Sequence, residues 1–286
     1  MPTSFFACRK AADHTFTPPQ WFPFTPPLTS AAEIEPNNAG AVFELCWREF
    51  PDPEEISREI LNDNPALIRQ YVDFLFAKDQ FSAAAAAAQR LVRYGDSRTD
   101  ATPLLKAINR LVAAKDVPAA RALWRALIDR HWIVADATMI NNPNFARNPL
   151  PVSFDWNLPS YDGLHSWPGP AGLESEFTGI EPETCIVAEQ SVVLAPGKYG
   201  LEYIYRTSQI PPATGLRWQI VDAASDTPLA TSPDLSSAVL QSSRFEFSVP
   251  EGASLLEIRL AYQRAIGTTR ISGRLVIRSV QIVPGL

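Results

Sequence analysis

Near residue 136 the chain changes its hydrophobic period, and this switch limits what its 286 residues can fold into more than any other feature. Upstream, apolar positions recur at three- and four-residue steps, the spacing of one face of an α-helix. Downstream, apolar and polar residues alternate in short runs broken by Gly and Pro, the pattern of strands with one buried side. The two periods need different layers. The chain therefore reads as a multidomain α plus β protein: helical hairpins over residues 36–136, then an antiparallel β-sandwich over 137–286. Residues 1–35 read as a poorly ordered leader, because TPPQWFPFTPP (17–27) is too rich in proline for helix or sheet interiors. Its Trp21, Phe22 and Phe24 either pack on the body or mark a partner-binding segment.

The helical half carries start and stop marks. Asp52-Pro53-Glu54-Glu55 supplies a cap, a proline at the first helical position and an early Glu. Asn64-Pro65 and Thr102-Pro103 offer the same start, and Gly95 reads as a stop. Leu67, Ile68, Tyr71 and Leu75 match Leu104, Leu105, Ile108 and Val112 at an offset of about 37, and FSAAAAAAQRLV (81–92) matches VPAARALWRALI (117–128) at about 36. The Ala83–Ala88 run lets two helices approach closely. Over residues 36–135 this resembles the tetratricopeptide family, although that family's Trp-Leu-Gly-Tyr signature is absent. The resemblance implies a solenoid fragment with a surface for a protein partner.

In the second half, KYGLEYIYRT (198–207), GLRWQIVD (215–222), RFEFSVP (244–250), LLEIRLAY (255–262) and RLVIRSVQIV (274–283) alternate. Tyr199, Tyr203, Tyr205 and Trp218 share faces with Leu201, Leu216 and Ile220, so they are expected in the core, as is Trp156. Asn144-Phe145, then Phe154-Asp155-Trp156, then the run from Glu189 through Pro196-Gly197 to Tyr199 follow the order seen in the galactose-binding-like jelly roll of carbohydrate-binding modules. Both Pro196-Gly197 and Pro250-Glu251-Gly252 read as hairpin turns. The resemblance implies a module that binds a glycan or polysaccharide. It departs where family members carry an Asp that helps hold calcium: here the strand reads Val276-Ile277-Arg278-Ser279-Val280, so weak or no calcium binding is expected. Chains joining such repeats to such a sandwich resemble bacterial envelope or exopolysaccharide-associated proteins, which implies an envelope association without fixing a compartment.

The candidate ligand-binding residues fall in two groups. Tyr161, His165 and Trp167 sit in the Gly- and Pro-rich SYDGLHSWPGPAG stretch, read as a loop where binding residues concentrate; the plainer account is a loop pinned down by Trp167. Arg206, Arg217 and Arg259, with Arg274 and Arg278, are outward positions in a half that has a single lysine, Lys198. They either form a concave face for an acidic polysaccharide or pair with Glu202 and Glu257 across strands.

Other functions lack their signatures. There is no GxSxG, no HExxH and no phosphate-cradling glycine loop. His14, His131 and His165 have no paired spacing, and Glu174 with Glu176 does not match a sandwich glycosidase's acidic motif as a pair. A non-enzymatic protein without cofactor or metal is expected. Cys8, Cys46 and Cys185 contain no CxxC and read as free thiols. The net charge is −6 and neither half is basic, which argues against nucleic acid. No run approaches the ~18 apolar residues of a membrane span, and the N-terminus lacks the apolar stretch of a signal peptide, so the chain as written reads as soluble.

Overall fold

The computed structural model describes residues 39–49, 51–253 and 255–285, and it divides after Val134 into two compact units. The leader, with Cys8, His14 and the aromatics at 21–24, lies outside the described residues.

The first unit contains α1 (Ala39–Glu49), α2 (Pro53–Ile60), α3 (Pro65–Ala77), α4 (Phe81–Tyr94), α5 (Ser97–Ala113) and α6 (Val117–Asp129). The Asp52 carboxylate accepts the N–H groups of Glu54 and Glu55, and the Asn64 side chain accepts that of Ala66, so both expected starts hold. The Thr102-Pro103 start does not. Asp96 caps α5 instead, accepting from Arg98 and Thr99, and leaves Pro103 inside the helix. A second anchor explains the earlier start: Asp100 is fully buried, accepts the Asp96 N–H at 3.0 Å and pairs with Arg69. Helix α3 packs on α4 and α5 on α6, while α4 also meets α6. Ala84 and Ala88, in the alanine run, are fully buried.

Three helices end in the same turn. Asp79, Lys115 and His131 have left-handed φ values of 55°, 63° and 56°. The next N–H reaches back to Leu75, Leu111 and Leu127 respectively, which is the Schellman termination. The first two turns lie 36 residues apart, so the helical hairpins recur at that interval. No helix among the described residues is long and apolar enough to cross a membrane.

The second unit is an antiparallel β-sandwich with strands β1 (Leu164–Gly169), β2 (Gly172–Thr178), β3 (Thr184–Val192), β4 (Gly197–Ser208), β5 (Leu216–Asp222), β6 (Thr227–Thr231), β7 (Gln241–Val249), β8 (Leu256–Gln263) and β9 (Ser272–Pro284). One sheet has the order β1-β2-β9-β4-β7 and the other β3-β8-β5-β6. The Pro196-Gly197 and Pro250–Gly252 turns do not close hairpins. Strand β3 pairs with β8 while β4 pairs with β7 and β9, so each turn carries the chain from one sheet to the other, the crossing pattern of a jelly roll. Inward rows from both sheets bury Trp156, Tyr203, Tyr205, Trp218 and Tyr262 in one core; Tyr199 is only half-buried, its hydroxyl donating to Ala195. Cys46 and Cys185 are buried free thiols, and burial pushes the Cys185 thiol up to about 11.

Residues 135–163 pack along the sandwich through polar contacts. The backbone of Asn141 exchanges hydrogen bonds with the Gln190 amide at 2.8 and 2.9 Å, and the Trp156 indole donates to Asn142. The Arg147 guanidinium, 2.8 Å from Asp136, holds that carboxyl below its usual range. Burial pushes Asp155 the other way, although it accepts N–H groups from Leu150 and Trp156.

Candidate functional site

The two outward faces of the sandwich differ in what their side chains do. On the four-stranded sheet, Arg259 of β8 stands opposite Glu189 of β3. It pairs with Glu189 at 3.6 Å, with Asp226 at 2.7 Å and with Glu257. Burial opposes its charge, but Asp226 and Glu257 outweigh that and hold the guanidinium above its ordinary pKa. Arg217 of β5 lies on the same face, half-buried, with a buried Nε that no acceptor meets.

The five-stranded face is built differently. The β1–β2 and β2–β9 registers set His165 beside Glu176 and Arg274, and Trp167 beside Glu174 and Val276. The β4–β9 register adds Arg206 next to Val276. Trp167, Glu174, Val276 and Arg206 thus form one row across four strands, about 14 Å long at the ~4.8 Å spacing of neighbouring strands. Trp167 is 39 % exposed, and among the described residues of the sandwich it is the one exposed aromatic.

A cleft of about 970 Å³ opens at the Arg206 end of this row. Its floor is Val276, Arg206, Arg278 and Ser279. One wall is the β1–β2 turn, Gly169 to Gly172. The other is the segment before β7, where Val239 and Leu240 are 72 % and 51 % exposed; Asn144 and Ala146 close one end. Gly172 is demanded by geometry. Its φ is +119°, and a Cβ would stand 2.1 Å from the Ile277 carbonyl oxygen, so the wall sits directly on β9.

A bulge shapes the floor. Ile204 pairs with Ser279 and Tyr205 with Ile277, which leaves Arg278 as an extra residue on β9. The burial pattern changes parity there: Leu275 and Ile277 point inward, then Val280 and Ile282, so Arg278 and Ser279 both face out. Bulges re-aim side chains in this way. The side chains of Arg206 and Arg278 have no hydrogen bond or ion pair to any described residue. Arg147, Arg244, Arg259, Arg264, Arg270 and Arg274 each lie within ion-pair distance of a carboxylate.

The sequence-derived candidates therefore separate. His165, Trp167 and Arg206 share the five-stranded face, and Arg206 lines the cleft. His165 and Trp167 are on edge strand β1 rather than on a loop. Tyr161 precedes that strand, half-buried against the core. Arg217 and Arg259 belong to the opposite face, and Arg259 is held by carboxylates. Arg278, read in the sequence as one of five outward arginines, lines the cleft as well, whereas Ser279, Val239, Leu240 and Asn144 left no such trace. Neither Glu174 nor Glu176 lines the cleft: the Glu174 carboxylate lies over Gly169, and Glu176 pairs with Arg274 at 3.1 Å. Among the described residues no cluster of His, Cys, Asp or Glu could hold a metal ion.

No protein-family model matches the chain, and no curated protein matches it. Among solved structures, its C-terminal half is similar to a family 4 carbohydrate-binding module at 15 % identity, over 51 % of this chain and 99 % of that one, with a TM-score of 0.41. It is also similar to a family 61 module in complex with β-1,4-galactotriose, at 9 % identity over 52 % and 100 % of the two chains, TM-score 0.36. A third is the N-terminal cellulose-binding domain of Cellulomonas fimi β-1,4-glucanase C, at 13 % identity over 52 % and 99 %, TM-score 0.35.

Proposed function

We propose that the chain is a non-catalytic binding protein whose sandwich takes a saccharide on the outward face of the five-stranded sheet. One observation carries the reading: an exposed tryptophan and an open cleft share one strand row, in a unit that otherwise buries its large aromatics. Sugar rings offer C–H faces that stack on an indole, and their hydroxyls take hydrogen bonds from forked donors. Val239, Leu240 and Val276 supply the apolar surface, with Ser279, Asn144 and the guanidinium groups as polar partners, the mixture expected of a small-ligand site. Among the described residues no carboxylate, histidine or cysteine lines the cleft, which supports binding rather than hydrolysis.

The test is a glycan array probed with the full chain and with Trp167→Ala. We expect binding to at least one oligosaccharide, weakened about tenfold or more in the variant, a loss of about 1.4 kcal/mol, with an unchanged melting temperature. Equal binding by both proteins removes Trp167 from the site. Binding to no glycan makes the sandwich a structural module.

For the helical half we propose a protein-docking role. It rests on the hairpin turn that recurs at 36 residues, since stacked hairpins present a continuous surface. Hydrogen exchange of the full chain with a partner should show protection within residues 39–134; protection confined to 135–285 rejects the role.

A further inference from the structure

Building on the saccharide reading of this cleft, we infer that its ligand is an anionic glycan, with a carboxylate or sulfate group held between Arg206 and Arg278. The argument begins with pairing. On this same face Arg244 reaches Glu202 at 3.0 Å and Glu246 at 2.7 Å, and Arg274 reaches Glu176 at 3.1 Å. Cross-strand pairing is therefore how this sheet ordinarily neutralises an arginine. Arg206 and Arg278 stand on neighbouring strands β4 and β9 without such a partner among the described residues, of which no Asp or Glu lines the cleft around them. The cleft is a positive site in a chain of net charge −6. Two like charges side by side disfavour each other, and an anion between them reverses that sign.

The backbone points the same way. Arg278 continues the outward row of Arg274 and Val276 and is the residue of the β9 bulge that β4 leaves unpaired, and the bulge sets Ser279 on the same outward side next to it. The wall facing it is Gly169-Pro170-Ala171-Gly172, a turn without long side chains, pressed against the bulge at Gly172. The wall residues themselves leave the space open, and the carboxylate nearest to them, Glu174, lies over Gly169 and outside the cleft lining. Both cations are arginine, whose planar fork grips an oxyanion with two parallel hydrogen bonds, where a lysine offers a point charge. Apolar Val239 and Leu240 lie across the cleft and suit the sugar ring that bears the anion.

The experiment is affinity electrophoresis of the full chain through native gels containing one polymer each: polygalacturonate, its methyl ester, chondroitin sulfate, neutral β-1,4-galactan, xylan or single-stranded DNA. Arg206→Ala, Arg278→Ala, Arg206→Lys and Trp167→Ala run beside the parent, with melting curves to confirm folding. Retardation by polygalacturonate that vanishes in the ester assigns a carboxylate; retardation by chondroitin sulfate but not by polygalacturonate or its ester assigns a sulfate. Either arginine-to-alanine change should weaken it about tenfold or more, Arg206→Lys less, and added salt should weaken it further. Retardation only by neutral polymers, lost in Trp167→Ala and kept in the arginine variants, overturns the anionic ligand and leaves the saccharide reading standing. Equal retardation by DNA and every acidic polymer overturns it in favour of unspecific charge attraction. No retardation by any polymer overturns both.

Discussion

The two outward faces of the sandwich surround their arginines differently. On the four-stranded face Arg259 is surrounded by Glu189, Glu257 and Asp226, and that cluster joins strands β3 and β8 to the β5–β6 turn. On the five-stranded face Arg206 and Arg278 are left unpartnered beside a cleft with an apolar wall. A guanidinium whose charge is already neutralised by its own protein has little to offer a ligand; one left bare has a fork to give. What separates Arg259 from Arg206 and Arg278 is the presence of a carboxylate across the strand, and the topology decides that.

The largest effect that would sharpen this contrast comes from backbone fit. Gly172 on the cleft wall and Gly215 at the start of β5 both have left-handed φ, and a Cβ on either would strike a backbone oxygen, at 2.1 Å from Ile277 and 1.8 Å from Gln263. Each alanine substitution should cost about 2–4 kcal/mol, combining strain with overpacking. Calorimetry should find similar losses of melting temperature. Ligand binding, measured below both transitions, should suffer in Gly172→Ala alone. Equal loss of binding in Gly215→Ala would mean that the open face is not a separate site.

A smaller effect is expected from Arg259→Ala. The substitution leaves two partly shielded glutamates and Asp226 without their cation, at a cost of about 1–2 kcal/mol, or roughly 2–8 °C in the unfolding temperature of a unit this size. Glu257→Gln in the same chain should restore part of it by removing one of the like charges. The corresponding Arg206→Ala change should alter stability by no more than about 0.5 kcal/mol. If urea titration gives Arg206→Ala the larger loss, Arg206 is structural and the contrast between the faces fails.

Much of this was readable from the chain. Alternation identified Trp218, Tyr203 and Trp156 as core residues, and the Asp52 and Asn64 caps marked where helices begin, because both signals depend on neighbours within a few positions. The site was harder for reasons that can be named. Strand β1 passes for a loop because LHSWPG ends in Pro and Gly; it is a strand because it lies at the sheet edge, where Pro168 need not donate to the next strand. The turns at Pro196-Gly197 and Pro250–Gly252 look like hairpins but move the chain between sheets. That is why Arg206 and Arg259, alike in sequence context, end on opposite faces. The bulge at Arg278 inserts a residue without any local sequence mark, and the loop before β7 contributes Val239 and Leu240 from a stretch with no period at all. Which arginine meets which glutamate depends on strand order, and strand order is set by contacts across the whole domain.

The smallest expected effect is the one that tests the pairing argument most directly. Arg274 lies on the same strand and face as Arg278, one row beyond the Val276–Arg206 pair, with Ser208 as its neighbour on β4. Its exposure is greater than that of Arg244, and its charge is as available to a passing anion as any on that sheet, except that Glu176 stands 3.1 Å away. If position on the face were enough, Arg274→Ala should weaken ligand binding much as Arg206→Ala does. If an unmet guanidinium is what the ligand reads, Arg274→Ala should change affinity less than about twofold. An exposed ion pair also contributes little to folding, so the melting temperature should move by only a degree or two. The matched variant is Glu176→Gln, which frees Arg274 without moving it. Under the pairing argument, this change should strengthen binding of an anionic polymer, because it adds a third bare guanidinium to the face, one row from Arg206. Calorimetric titration of the two variants against the same polymer decides it: weakened binding in Arg274→Ala with no gain in Glu176→Gln would show that proximity to the cleft, and not the missing carboxylate, selects the arginines that bind.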